Sequence, residues 1–111
     1  MAFERALALA DVPEDEAVAV TLGAQEVAVA RHGDEVYAVE DICSHAAVAL
    51  SEGEVDECTL ECWLHGSRFD LRTGKPTGLP ATEPVATFPV DVRDGDVYVD
   101  VTTTLNGVTP Q

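Results

Sequence analysis

Along most of the chain, apolar and polar residues alternate with a period of two. This is the pattern of strands with one covered face and one wet face. Residues 3–9 read as a first strand. Asp11-Val12-Pro13-Glu14-Asp15-Glu16 is a turn, because Pro13 cannot join a hydrogen-bonded ladder. Residues 17–22 alternate weakly up to Gly23. Residues 26–31 and 35–39 flank His32-Gly33-Asp34 and predict a hairpin, with Val27 and Val29 sharing one face and Val36 and Ala38 another. Residues 46–53 read as loop. Cys58-Thr59-Leu60-Glu61-Cys62 predicts a short strand, residues 68–71 its return, and Arg72-Thr73-Gly74-Lys75 the following turn. Residues 78–81 form a further loop. Residues 85–92 and 97–101 enclose Arg93-Asp94-Gly95-Asp96, and Asp-Gly between alternating valines is a strong hairpin signal. The pattern predicts an all-β single domain over 1–102, with a polar tail, 103–111, that frays.

Composition narrows this picture. Val and Ala supply most of the apolar share and aromatics are only 5%, which favours thin β layers over a bulky aromatic core. Six cations face 21 anions, a formal net charge of −15. Such a chain repels nucleic acid and anionic membranes. Adaptation to salt and steering toward a basic protein partner both account for the charge, and both stay open. Three of the six cations, Arg68, Arg72 and Lys75, fall within eight residues of one another and suggest a local basic spot. No apolar run approaches the length of a membrane span. The start, Met1-Ala2-Phe3-Glu4-Arg5, lacks the layout of a secretory signal, so the expected location is the cytoplasm.

The chemistry concentrates in two fragments, Cys43-Ser44-His45 and Cys62-Trp63-Leu64-His65, sixteen residues apart. Each offers one thiol and one imidazole. Three cysteines do not make a disulfide framework. Zinc sites with two cysteines and two histidines usually group the cysteines first, so the interleaved order fits zinc poorly. It fits a two-iron, two-sulfide cluster in which two histidines replace two cysteines on one iron, the Rieske arrangement. Two ferric irons and two sulfides sum to +2, and two thiolates bring the oxidised site to zero. An added electron then meets less repulsion. This is why such centres lie at about −150 to +300 mV rather than about −400 mV. The simplest assignment puts Cys43 and Cys62 on an inner iron and His45 and His65 on an outer one. Cys58 reads as a small buried side chain in strand register with Leu60 and Cys62. His32 reads as a solvated turn residue and Trp63 as a shield between two ligands. The one spare histidine cannot build the two-histidine, one-carboxylate iron site that oxygen activation needs. The chain therefore reads as an electron carrier, not an enzyme.

These motifs, with Val36-Tyr37-Ala38-Val39, Gly66-Ser67-Arg68-Phe69-Asp70 and Leu71-Arg72-Thr73-Gly74-Lys75, resemble the Rieske ferredoxin family over nearly the whole chain. The resemblance implies stacked antiparallel sheets with a small cluster-binding subdomain, and cluster loops at about 42–48, 62–70 and 78–81, the last stiffened by Pro80. It implies one cluster per chain, held by Cys43, His45, Cys62 and His65. It also implies a monomeric carrier between a flavin-dependent reductase and a terminal oxygenase of the ring-hydroxylating dioxygenase type. The alternative is an accessory or redox-sensing subunit beside iron–sulfur assembly proteins or a nitrite reductase. A zinc module is third.

Two departures bear on potential. High-potential members of the wider family carry an extra, disulfide-bridged cysteine in each ligand loop, where this chain has Val48 and Leu64. They also carry a tyrosine whose hydroxyl bonds a cluster sulfur, where this chain has Phe69. Hydrogen bonds to sulfur stabilise the reduced cluster, so losing one lowers the potential. The expected midpoint lies near the low end of the Rieske range, and Phe69→Tyr raises it. Protein-film voltammetry of both forms checks this, and a clearly positive wild-type midpoint contradicts it.

Overall fold

Among the described residues, ten short antiparallel strands carry the fold and no α-helix occurs. The computed structural model describes residues 3–43, 48–63, 66–78 and 82–110. The strands are β1 (Glu4–Ala8), β2 (Ala17–Leu22), β3 (Gln25–His32), β4 (Glu35–Glu40), β5 (Val55–Asp56), β6 (Thr59–Glu61), β7 (Arg68–Asp70), β8 (Thr87–Phe88), β9 (Val90–Arg93) and β10 (Asp96–Val99). They form three sheets, ordered β1-β10-β9, β2-β3-β4-β8 and β5-β6-β7. No helix among these residues is long and apolar enough to cross a membrane.

The four-stranded sheet lies between the other two, and β3 shows why. Its residues Val27, Ala28, Val29 and Ala30 are all buried. Val27 and Val29 point to one side, where they pack with Val12, Ala38, Phe88, Val97 and Val99. Ala28 and Ala30 point to the other and pack with Leu50, Val55, Leu60, Phe69, Leu71 and both Cys43 and Cys62. Successive side chains of a strand alternate faces, so one strand serves two cores. The first core joins the central sheet to the β1-β10-β9 base. The second joins it to β5-β6-β7, the small subdomain that carries the second cysteine fragment.

The turns follow their residues. β9 and β10 meet through Asp94 (φ 49°) and Gly95 (φ 81°), the left-handed pair that a two-residue hairpin requires. The β3–β4 turn is tighter than its sequence suggests. His32 already pairs with Glu35, which leaves only Gly33 and Asp34 as loop.

Other expectations change too. The run 85–92 is not one strand. Pro89 has no N–H to donate, and the chain leaves the central sheet after β8 to enter the base sheet as β9. A short strand, β5, precedes β6 in the stretch between Gly53 and Cys58, to which the pattern assigns nothing. Cys58 does not extend β6: with Glu57 it forms the β5–β6 turn, both residues left-handed (φ 49° and 61°). The Cys58 side chain is buried all the same.

The tail does not fray at Asn106. Its amide nitrogen donates to the carbonyls of Thr73 (2.9 Å) and Val85 (2.8 Å), and its Oδ1 accepts the backbone N–H of Thr87 (3.2 Å). Leu105 N–H donates to the Thr87 carbonyl at 2.8 Å, and Val108 packs on the base core. The polar tail thus straps the turn after β7 to β8. Asn106→Ala leaves these backbone groups without partners and is expected to cost about 2 kcal/mol. The melting temperature, followed by circular dichroism, falls by roughly 10 °C.

Candidate metal centre

The first cysteine sits just beyond the end of β4. Glu40 anchors that end twice: its backbone N–H donates to the Ala86 carbonyl (2.9 Å) and its Oε1 accepts the Ala86 N–H (2.9 Å). Ala86 follows the third predicted loop, so Glu40 ties the approach to Cys43 to the exit of that loop. Asp41 follows, then Ile42 and Cys43. The Cys43 N–H donates back to the Val48 carbonyl at 3.0 Å. This closes the first fragment into a loop whose base is a backbone hydrogen bond.

The second fragment repeats the arrangement. The Cys62 N–H donates to the Ser67 carbonyl at 2.6 Å, and the Gly66 N–H donates to the Cys62 carbonyl at 2.9 Å. Gly66 has φ +76°, a conformation that side-chain-bearing residues rarely adopt. The loop joins β6 to β7, whose terminal residues Glu61 and Arg68 face each other in register and form an ion pair at 3.1 Å. Both loops therefore run six residues, closing partners included, and both begin with cysteine.

Cys43 is 1% exposed and Cys62 0%, and both belong to the same cluster of buried residues. Val48 and Phe69 pack in that cluster too. Ser67 is also buried. No disulfide involves Cys43, Cys58 or Cys62. Two buried thiols, each at the foot of a closed loop and set in apolar packing, suit a soft metal–sulfide group shielded from water. Among the described residues, no third histidine, cysteine, aspartate or glutamate completes a metal-binding group with them. His45 and His65, the other two ligand candidates, lie outside the described residues, as do Leu64 and Pro80.

The remaining sequence candidates resolve as follows. Trp63, beside Cys62, is 48% exposed, so much of its side chain lies in solvent. His32 is not merely solvated: its Nδ1 lies 3.1 Å from an Asp15 carboxylate oxygen. The basic spot is largely neutralised, since Arg68 pairs with Glu61 and Arg72 Nε lies 3.5 Å from Asp70. Sequence reading missed the structural roles of Glu40 and Asp41. The one available signal was their place immediately before Cys-x-His.

Tyr37 packs against the cysteine-containing core, and its hydroxyl donates to the Glu35 carboxylate. That bond, followed by partial burial and the neighbouring Cys58, pushes its ionisation above the ordinary tyrosine range. The folded-state value is raised, so the neutral phenol's contribution is whole below the unfolded value near 10 and is lost as pH rises through the folded one. Ultraviolet difference titration is expected to show a late tyrosine phase that Tyr37→Phe removes. A single phase at the ordinary value in the wild type contradicts it.

Comparison with known proteins agrees with the geometry. Residues 3–89 match the Rieske [2Fe-2S] domain family. The 3-phenylpropionate/cinnamic acid dioxygenase ferredoxin subunit of Shigella flexneri serotype 5b (strain 8401) is 45% identical over 94 residues, covering 84% of this chain and 88% of that protein. The anthranilate 1,2-dioxygenase ferredoxin subunit of Burkholderia cepacia is also 45% identical over 94 residues, covering 85% and 87%. Among solved structures, a chain of the complex of reduced oxygenase and oxidized ferredoxin in carbazole 1,9a-dioxygenase superposes with a TM-score of 0.82 at 40% identity, covering 87% of this chain and 91% of that one. The paired cysteine loops, the layered sheets and these relatives lead to one conclusion: the chain belongs to the Rieske domain family and carries its two-iron, two-sulfide cluster.

Proposed function

We propose that Cys43 and Cys62 hold the inner iron of the cluster, that His45 and His65 hold the outer one, and that the protein delivers single electrons from a flavin-dependent reductase to a terminal oxygenase. The observation that carries the reading is the burial of both thiols in one core, each at the start of a backbone-closed loop. When bound, the cluster supplies a site that gains and loses one electron. The chain's own residues do the rest. The apolar side chains of Leu50, Leu60, Phe69 and Leu71 exclude water from the thiol side. With the thiol side buried, the imidazole side is the natural edge for transfer. The half-exposed ring of Trp63 gives a partner an apolar contact beside that edge.

The relatives support the acceptor class, because they are named as ferredoxin subunits of dioxygenases and one is seen with its oxygenase. Their names attach them to different dioxygenases, so they specify the class of acceptor and not one substrate. The reading takes the protein as a separate, monomeric carrier in the cytoplasm, and the net charge of −15 keeps its copies apart.

Reconstitution tests this reading. With a flavin-dependent reductase and a ring-hydroxylating oxygenase, product is expected to form only when this protein is added. Cys62→Ser is expected to abolish product together with the Rieske-type paramagnetic resonance signal. A wild type that loads the cluster, is reduced chemically, and passes no electron to any oxygenase tried would count against the carrier role.

A further inference from the structure

Asp41 lies two residues before Cys43 and is 7% exposed, yet the ligand assignment leaves it unused. Ser51 occupies both of its carboxylate oxygens. Oδ1 accepts the Ser51 backbone N–H at 2.7 Å, and Oδ2 accepts the Ser51 hydroxyl at 2.7 Å. Two donors from one residue fix orientation as well as distance. The Asp41 backbone N–H in turn donates to the Glu26 carbonyl at 3.1 Å, which fastens the pair to β3. Asp41 and Ser51 stand on either side of the first cysteine loop.

The contact continues to the second loop. Ser51 belongs to the 3₁₀ turn Leu50–Glu52, which closes with the Gly53 N–H on the Leu50 carbonyl at 2.9 Å. Gly53 lies so close to β6 that an added Cβ would fall 1.6 Å from the Glu61 carbonyl oxygen. The Glu61 N–H donates to the Glu54 carbonyl at 2.9 Å, and the next residue is Cys62. A short path of hydrogen bonds and direct packing thus runs from the neighbour of one cysteine to the neighbour of the other.

We propose that Asp41 and Ser51 are a positioning pair that sets the relative placement of the two cysteine loops, and through it the geometry and retention of the cluster. This rests on the assignment of Cys43 and Cys62 as ligands. Neither residue is among the assigned ligands, so the pair acts through the loops. A hydroxyl bonded to a carboxylate is stronger than a neutral pair, so its removal is felt locally.

The molecule contains its own control. In the base, Asp100 accepts both the N–H (2.8 Å) and the hydroxyl of Thr102, which is similar chemistry on the far side of the central sheet. The experiment compares the cluster-loaded wild type, Ser51→Ala, Ser51→Thr and Thr102→Ala at a temperature where all are folded. Ser51→Ala is expected to broaden or shift the resonance lines of the reduced cluster and to bleach about tenfold faster in excess chelator. Ser51→Thr, which keeps both donors, is expected to restore both properties toward wild type. Thr102→Ala lowers the melting temperature and leaves lines and bleaching as in wild type. If Ser51→Ala matches wild type or Thr102→Ala in both readouts, the positioning role is wrong. A wild type without a Rieske-type signal overturns the ligand assignment and the proposal with it, a failure distinct from an unchanged Ser51→Ala.

Discussion

The structure depends on a single strand being buried on both faces. In β3 the alternation is not apolar with polar but valine with alanine. The valine side fills the space between the central sheet and the base. The alanine side is thinner, and it lets the cysteine-bearing subdomain approach closely. Burying both faces raises the stakes of register, because a one-residue slip would exchange the two sets of side chains. The pairing of β3 with both β2 and β4, residue by residue along its length, holds that register.

The candidate centre inherits its order from this arrangement. Its cysteines lie in the core built on Ala28, Ala30 and Val39, not on a mobile surface. Buried carboxylates strengthen the approach to it. Glu40 grips the segment after the third loop and Asp41 the segment after the first. Buried acidic side chains are costly unless their oxygens are satisfied. Here they accept backbone N–H groups that a loop would otherwise leave without partners. Strong acidity overall and a few deeply used acids are therefore separate properties of this chain.

The sequence made some of this visible and hid the rest for physical reasons. Hairpins closed by Gly33-Asp34 and Asp94-Gly95 could be read because glycine marks left-handed backbone. The Glu57-Cys58 turn could not, since neither residue advertises that conformation, and Cys58 looked like strand. Pro89 was present in plain sight, but the apolar residues around it kept the alternation of a single strand. The two cysteine fragments stood out by their spacing, and the bounds of their loops followed from the family resemblance. The roles of Asp41 and Glu40 were not, because two useful acids look like any other among 21 anions. Asn106 was hidden in a polar tail, where only a folded chain shows what its amide can reach.

The two cysteine loops differ from ordinary surface loops in one respect. Loops commonly tolerate extra residues, because lengthening them costs little entropy. Here each is closed at its foot by a backbone bond to a cysteine: Cys43 to Val48, and Cys62 to Ser67. One inserted residue would misalign donor and acceptor whatever its side chain. Substitution at the tips leaves those bonds alone. Length is thus a rigid variable in this site, as fixed as the ligand positions, and only the residues that neither bind nor close the loops are left adjustable.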